Sequence, residues 1–216
     1  MTIISYFAAF LLAYMLGSVP AAVWIGRKFH GIDVREHGSH NAGTTNVIRV
    51  LGWKTGIPVL LIDVSKGWLA AMLPFFLNLA SEDPAHLTNL KILTGLTAVI
   101  GHIFPLFAGF RGGKGVATVF GVLFALQPVL TLSCFVVFLV VLFITGIVSV
   151  SSMSAGLAFP IFLFTVFGSS STIFKIFSIL IGIALLITHR KNIGRLLRGE
   201  ESKLIHFRKK QKTPLQ

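Results

Sequence analysis

Apolar runs long enough to cross a bilayer recur along this 216-residue chain, separated by short polar connections. A helix needs about 20 predominantly apolar residues to span the hydrocarbon core. The first run, Ile3 to Gly26, qualifies, as does a second from roughly Trp53 to Ala80. A third covers Ile92 to Ala108. The stretch from Val116 to Ile147 is broken by Gln127-Pro128 and reads as two helices, 115–126 and 129–147, the first of them short. The sixth run covers 154–167 and the seventh 173–188. The expected fold is all-α: a polytopic membrane protein of seven transmembrane helices, one domain over 1–216, ending in a basic tail, 189–216. Arg27 and Lys28 follow the first run instead of preceding it. A secretory signal peptide has the reverse order, so the first span is expected to be retained.

Composition excludes other classes. Charged residues are 12% of the chain, against about 25% in soluble domains. That is too few for a water-facing surface or a disordered chain, and the mean hydropathy is +0.85. The net charge of +12 does not signal a nucleic-acid partner, because its carriers lie between or after the apolar runs. Three segments, after spans 1, 3 and 7, hold 16 of the 19 Lys and Arg residues. The positive-inside rule then places the N-terminus outside and the C-terminus in the cytoplasm. The basic tail reads as an anchor near anionic lipid. The single cysteine, Cys134, lies in an apolar run, which excludes an internal disulfide and a multi-cysteine metal site.

The unusual polar sequence falls on the predicted cytoplasmic side. Gly38 to Asn46 offers hydroxyls, amides and close-approach backbone N–H groups, with Arg49 nearby, a composition that can wrap an anion. Gly109 to Thr118 brings Arg111, Lys114 and four glycines to the start of span 4. A glycine-rich turn feeding a helix N-terminus is an anion site by geometry. It is no P-loop, since Ala108 stands where the first Gly should be and Gly115 where Ser or Thr should hold a metal. Phosphate binding without nucleotide hydrolysis is the expectation. Ser149 to Ser154 could contact phosphate or cap span 6, and both readings stand. His189 and Asn192 share one helical face at the end of span 7. Within spans, Asp63 and Lys66 are one turn apart and read as a structural ion pair, and His102 as a hydrogen-bonding strut.

These residues resemble the bacterial integral-membrane glycerol-3-phosphate acyltransferases that use acyl-phosphate. The resemblance runs from Gly17-Ser18-Val19-Pro20 to the segment His189–Glu200. Its most specific pieces are G-S-x-N-x-G-x-T-N-V-x-R, G-H-x-F-P-x-F-x-G-F-x-G-G-K-G-V-A-T, the D-x-x-K-G of span 2 and H-R-x-N-I-x-R-L. The resemblance implies catalytic roles for Ser39, Arg49, Lys114 and His189. It implies substrate binding by Asn41, Gly43, Thr45, Asn46, Gly112, Gly113, Gly115 and Asn192. Ser149 and Ser152 would meet the acyl-phosphate phosphoryl group, and Glu200 would be structural beside Asp63, Lys66 and His102. His40 departs from the family's usual Gly, and Arg111 from its usual Lys.

The implied reaction moves an acyl group from acyl-phosphate to the 1-hydroxyl of glycerol 3-phosphate. The products are 1-acyl-glycerol 3-phosphate and inorganic phosphate. It uses no cofactor or metal and takes place at the bacterial cytoplasmic (inner) membrane, with functional monomers among the expectations. The H-x-x-x-x-D motif of soluble glycerol-phosphate acyltransferases is missing after His37, His40 and His102, which are followed five residues on by Ala42, Thr45 and Phe107. A transporter for phosphate or a phosphorylated metabolite is the rival class. It would favour a midplane site and inverted repeats, and no repeat is visible.

Overall fold

The computed structural model describes residues 3–79, 83–168 and 171–205. Glu82 and the last eleven residues of the basic tail, from His206 on, lie outside the described residues. Within them every regular element is helical: α1 (Ile3–Gly17), α2 (Ala21–His30), α3 (Thr44–Leu51), α4 (Trp53–Phe76), α5 (Pro84–Ile103), α6 (Val116–Leu126), α7 (Pro128–Thr145), α8 (Val148–Phe162), α9 (Thr172–Thr188) and α10 (Arg190–Leu197). Short 3-10 turns occupy Val34–Glu36 and Leu106–Ala108, and a π-turn, Leu163–Phe167, extends α8.

Four helical segments are long and apolar enough to cross a membrane, or six when the bent pairs α1–α2 and α9–α10 each count as one. The remaining apolar run forms α6, whose 11 residues rise only about 16 Å.

Element boundaries differ from expectation where local chemistry intervenes. The first run is not one helix. It breaks at Ser18–Pro20 and bends by 42°, because Pro20 has no N–H to continue the ladder and pushes Val19 out of the helical region. After the break, α2 buries Ala21, Ala22, Val23 and Gly26 and ends in Arg27, Lys28 and His30. Helix α5 starts eight residues before the apolar run, at Pro84. Asp83 Oδ1 accepts from the Ala85 N–H at 2.9 Å, a side-chain N-cap. The serine block after α7 is not a loop but the first turns of α8. Ser151 and Ser152 donate their hydroxyls back to the carbonyls of Ile147 and Val148, both at 2.9 Å.

Glycines let the helix backbones touch. A Cβ on Gly67 would collide with the Thr118 carbonyl, and one on Gly121 with the Val64 carbonyl, so α4 and α6 pack backbone to backbone. Gly17 against Ala98 and Gly101 against Tyr14 do the same for α1 and α5. Without a hydrophobic drive between helices in lipid, close packing of small residues holds them together. We predict that Gly121→Val destabilises the fold by about 1–3 kcal/mol, read as a lower melting midpoint in detergent. Aromatic and branched residues from α6 to α9, among them Leu130, Phe159, Phe174, Phe177 and Ile181, fill the larger core.

Candidate active site

The loop before α3 is organised by Asn46. Its Oδ1 accepts from the Ser39 N–H (2.7 Å) and the Ser39 hydroxyl (3.1 Å). Its Nδ2 donates to the carbonyls of Val34 (2.7 Å) and His37 (3.0 Å). Asn46 is 1% exposed, so its amide is engaged by the loop. Its four side-chain hydrogen bonds all stay within residues 34–46. His40 has a φ of +56°, the left-handed region that glycine adopts without a Cβ penalty. The departure from Gly at position 40 therefore concerns backbone conformation. Gly43 caps α3, its carbonyl accepting from the N–H groups of Asn46 and Val47. Asn41 and Thr45 are half-buried on either side of it. Thr44, not Thr45, has a buried hydroxyl with no partner among the described residues.

The glycine-rich loop folds back on the end of α5. The Gly112 N–H donates to the Ile103 carbonyl and the Gly113 N–H to the His102 carbonyl, both at 3.2 Å. A Cβ on Gly112 would strike the His102 carbonyl, and one on Gly113 the His102 ring. These two amides cap a helix end, and the glycines permit the backbone contact. Gly115, at φ +84°, starts α6 with no side-chain cap, leaving the first N–H groups of α6 without intrahelical partners. Beneath the loop, Lys66 Nζ lies 2.8 Å from Asp63 Oδ1 and donates to the Val19 carbonyl at 2.9 Å. His102 Nδ1 is 3.5 Å from the same Asp63 oxygen, at the outer limit of a hydrogen bond.

Lys114 emerges from this loop and donates to Asn192 Oδ1 at 2.5 Å. Asn192 in turn donates to Glu201 Oε1 at 2.6 Å. The same oxygen accepts from the Ser149 hydroxyl at 2.8 Å, and Oε2 from Arg195 Nε at 2.6 Å. Arg49 Nη2 donates to the Ser202 carbonyl at 3.0 Å, while its buried Nε has no partner among the described residues. Arg49, Lys114, Ser149, Asn192, Arg195 and Glu201 thus meet from four distant stretches of chain. Ser39 joins them only through Asn46 and α3. Ser152, bonded back to Val148, faces inward at 3% exposure.

The adjacent carboxylates Glu200 and Glu201 lie in different surroundings. Glu200, taken as structural, is exposed and pairs with exposed Arg198. Glu201 is the buried one, at 3% side-chain exposure, with its two oxygens taking three hydrogen bonds. Arg195 is the second arginine of the H-R-x-N-I-x-R-L motif but carries no site role in the sequence reading. Its spacing of i, i+3 from Asn192 was the available signal.

Electrostatics favour an anion here. Three cations, Arg49, Lys114 and Arg195, surround one carboxylate. Burial is the main force on Lys114; repulsion from Arg195 and Arg49 adds to it and Glu201 opposes it, leaving the ammonium at about 8. Burial, with the Lys114 charge beside it, pushes His189 down to about 4. His189 Nδ1 lies 2.8 Å from the Leu185 carbonyl. A carbonyl only accepts, so Nδ1 carries the proton and neutral Nε2 is an acceptor. For Glu201, burial is outweighed by the hydrogen bonds from Arg195, Asn192 and Ser149, and its carboxyl is held below the usual range.

An all-helical integral membrane protein with a cationic, hydroxyl-bearing site at one end of its bundle is the class that this geometry defines. Residues 7–199 match the family described as glycerol-3-phosphate acyltransferase. A relative from Salinibacter ruber with that name is 41% identical over 211 residues, covering 91% of each chain. One from Fusobacterium nucleatum is 40% identical, covering 92% of this chain and 98% of its own. The crystal structure of PlsY (YgiH), an integral membrane glycerol 3-phosphate acyltransferase in its glycerol 3-phosphate form, superposes with a TM-score of 0.80 at 36% identity, over 92% of this chain and 95% of that one. Its lysophosphatidic acid form superposes equally well at 37% identity. The chain belongs to the glycerol-3-phosphate acyltransferase family.

Proposed function

We propose that the chain transfers an acyl group from acyl-phosphate to the 1-hydroxyl of glycerol 3-phosphate. The reading is supported most by the cation cluster, in which Arg49 and Lys114 present unused N–H donors beside Ser149 and Asn192. The N-terminus faces outward and the site faces the cytoplasm, with seven crossings of the inner membrane if α6 counts as one.

The glycerol 3-phosphate phosphate sits between Arg49 and Lys114, and the acyl-phosphate phosphoryl group near Ser149. The 1-hydroxyl oxygen attacks the acyl carbonyl. A new C–O ester bond forms, the bond from acyl carbon to phosphate oxygen breaks, and inorganic phosphate leaves. Phosphate is a good leaving group, so no covalent enzyme intermediate is needed. Orienting two bound reactants supplies up to about 7–11 kcal/mol. The proton goes to a phosphate oxygen, since His189 at about 4 is a weak base; its Nε2 orients the hydroxyl.

The pH profile tests this assignment. A phosphate base with a second pKa of about 6 gives an acid limb of kcat/KM near that value, whereas a His189 base carries activity down towards 4. On the alkaline side, Lys114 holds its proton below about 8 and loses it above. KM for glycerol 3-phosphate therefore rises above pH 8, and Lys114→Arg moves that rise upward because guanidinium stays charged. The donor is tested with purified protein in detergent, scoring phosphate release from palmitoyl phosphate and ester formation from palmitoyl-CoA. Turnover with the phosphate alone fits the reading; turnover with the thioester alone overturns it.

A further inference from the structure

The two loops that supply the site are joined by a side chain belonging to none of its substrate contacts. Arg35 lies in the 3-10 turn before the Ser39 loop. Its Nε donates to Asp33 Oδ1 at 3.0 Å and its Nη2 to Oδ2 at 2.7 Å. Its Nη1 crosses to the glycine-rich segment, donating to the carbonyl of Ala108 at 2.7 Å and of Arg111 at 3.3 Å. The Arg35 and Asp33 side chains are 11% and 7% exposed. Asp33 accepts a further bond from Arg27 at 2.8 Å, and the Arg35 carbonyl accepts from His40 Nδ1 at 3.2 Å. The Arg35 guanidinium holds the Asp33 carboxyl well below the usual range. A second contact lies beside this one: a Cβ on Gly113 would approach the Ala42 carbonyl to 3.2 Å.

We propose that Arg35 is a positioning residue for acyl transfer, clamping the 33–46 loop to the 106–111 turn and so setting the separation of Arg49 from Lys114. The inference rests on the reaction proposed above. Only a planar fork of five donors can hold a carboxylate on one edge and two carbonyls on the other. A lysine satisfies one side or the other. Both ends of the clamp lead directly into the site: Ser39 and Arg49 follow Arg35, and Lys114 follows Arg111.

The test uses the full chain in detergent with palmitoyl phosphate and glycerol 3-phosphate. Misplacing a reacting group by about 1 Å lowers rate by about 100-fold, so Arg35→Ala is expected to lose kcat on that order per folded molecule, beyond the lowered melting midpoint that loss of the Asp33 pair brings. Added guanidinium at millimolar concentration restores activity several-fold, and methylammonium does not. Asp33→Ala placed on Arg35→Ala adds little further loss, as two members of one clamp should. Arg35→Lys, which retains charge and serves if the alanine variant does not fold, stays at least about tenfold below wild type. Full activity in Arg35→Lys overturns the inference. So does an alanine variant whose loss equals its loss of folded protein and which guanidinium does not rescue. A folded wild type with no turnover overturns the proposed reaction instead.

Discussion

Lys114→Ala lowers kcat/KM for acyl transfer by about 100- to 1,000-fold, the range seen when one preorganised donor to developing charge is removed. The ammonium comes from a loop whose backbone is already fixed by the Gly112 and Gly113 hydrogen bonds. It is aimed by Asn192 and held among Arg49, Arg195 and Glu201. Its removal deletes one of three cations from a part-buried site where charge is weakly screened. Lys114→Arg keeps the charge but not the compact head, and is expected to recover part of the loss. The fold should be untouched by either change, since Lys114 forms no ion pair within 4 Å among the described residues. Steady-state kinetics with each substrate varied separates a KM effect on glycerol 3-phosphate from an effect on kcat.

The second large effect falls on a residue outside the family match. Glu201→Ala removes the carboxylate that joins Ser149, Asn192 and Arg195. Breaking a buried pair costs about 3–5 kcal/mol; Arg195 is 30% exposed, so the lower end applies and solvent screening reduces it further. The expected result is a melting midpoint lowered by several degrees together with raised KM for both substrates, because hydroxyl and amide lose a shared partner. Glu200→Ala, one position earlier and exposed, leaves the melting midpoint near wild type and changes KM by no more than about twofold. Because the folded Glu201 carboxyl lies below its unfolded value, its stabilisation is fully present above the ordinary glutamate range and is lost as pH falls through the folded value. Glu201→Ala should therefore converge with wild type in strong acid and differ from it most at neutral pH.

Hydropathy alone makes most of the helices visible, since lipid demands long apolar runs. It fails where polar residues are helical. His86, Thr88 and Lys91 hide the start of α5, and four serines hide the start of α8. The Pro20 bend was written in the chain, but an apolar tally does not register a missing N–H. Motif reading singles out Arg49, Lys114, His189 and Asn192. It could not see that the amides of Gly112 and Gly113 serve α5, because that depends on how the chain folds back on itself. Nor could it choose between adjacent Glu200 and Glu201. The turn at Gly199, with φ +70°, decides which carboxylate faces inward. Arg35 reads in sequence as a positive-inside charge and acquires its role only through contacts 73 and 76 residues away.

The account centres on cations from separate loops gripping one phosphate. Calorimetric titration of glycerol 3-phosphate into the detergent-solubilised protein, without acyl donor, tests this directly. Arg49→Ala and Lys114→Ala should each weaken binding by at least about tenfold, and the double variant should lose less than the two effects combined. Binding at wild-type affinity by both single variants would contradict it.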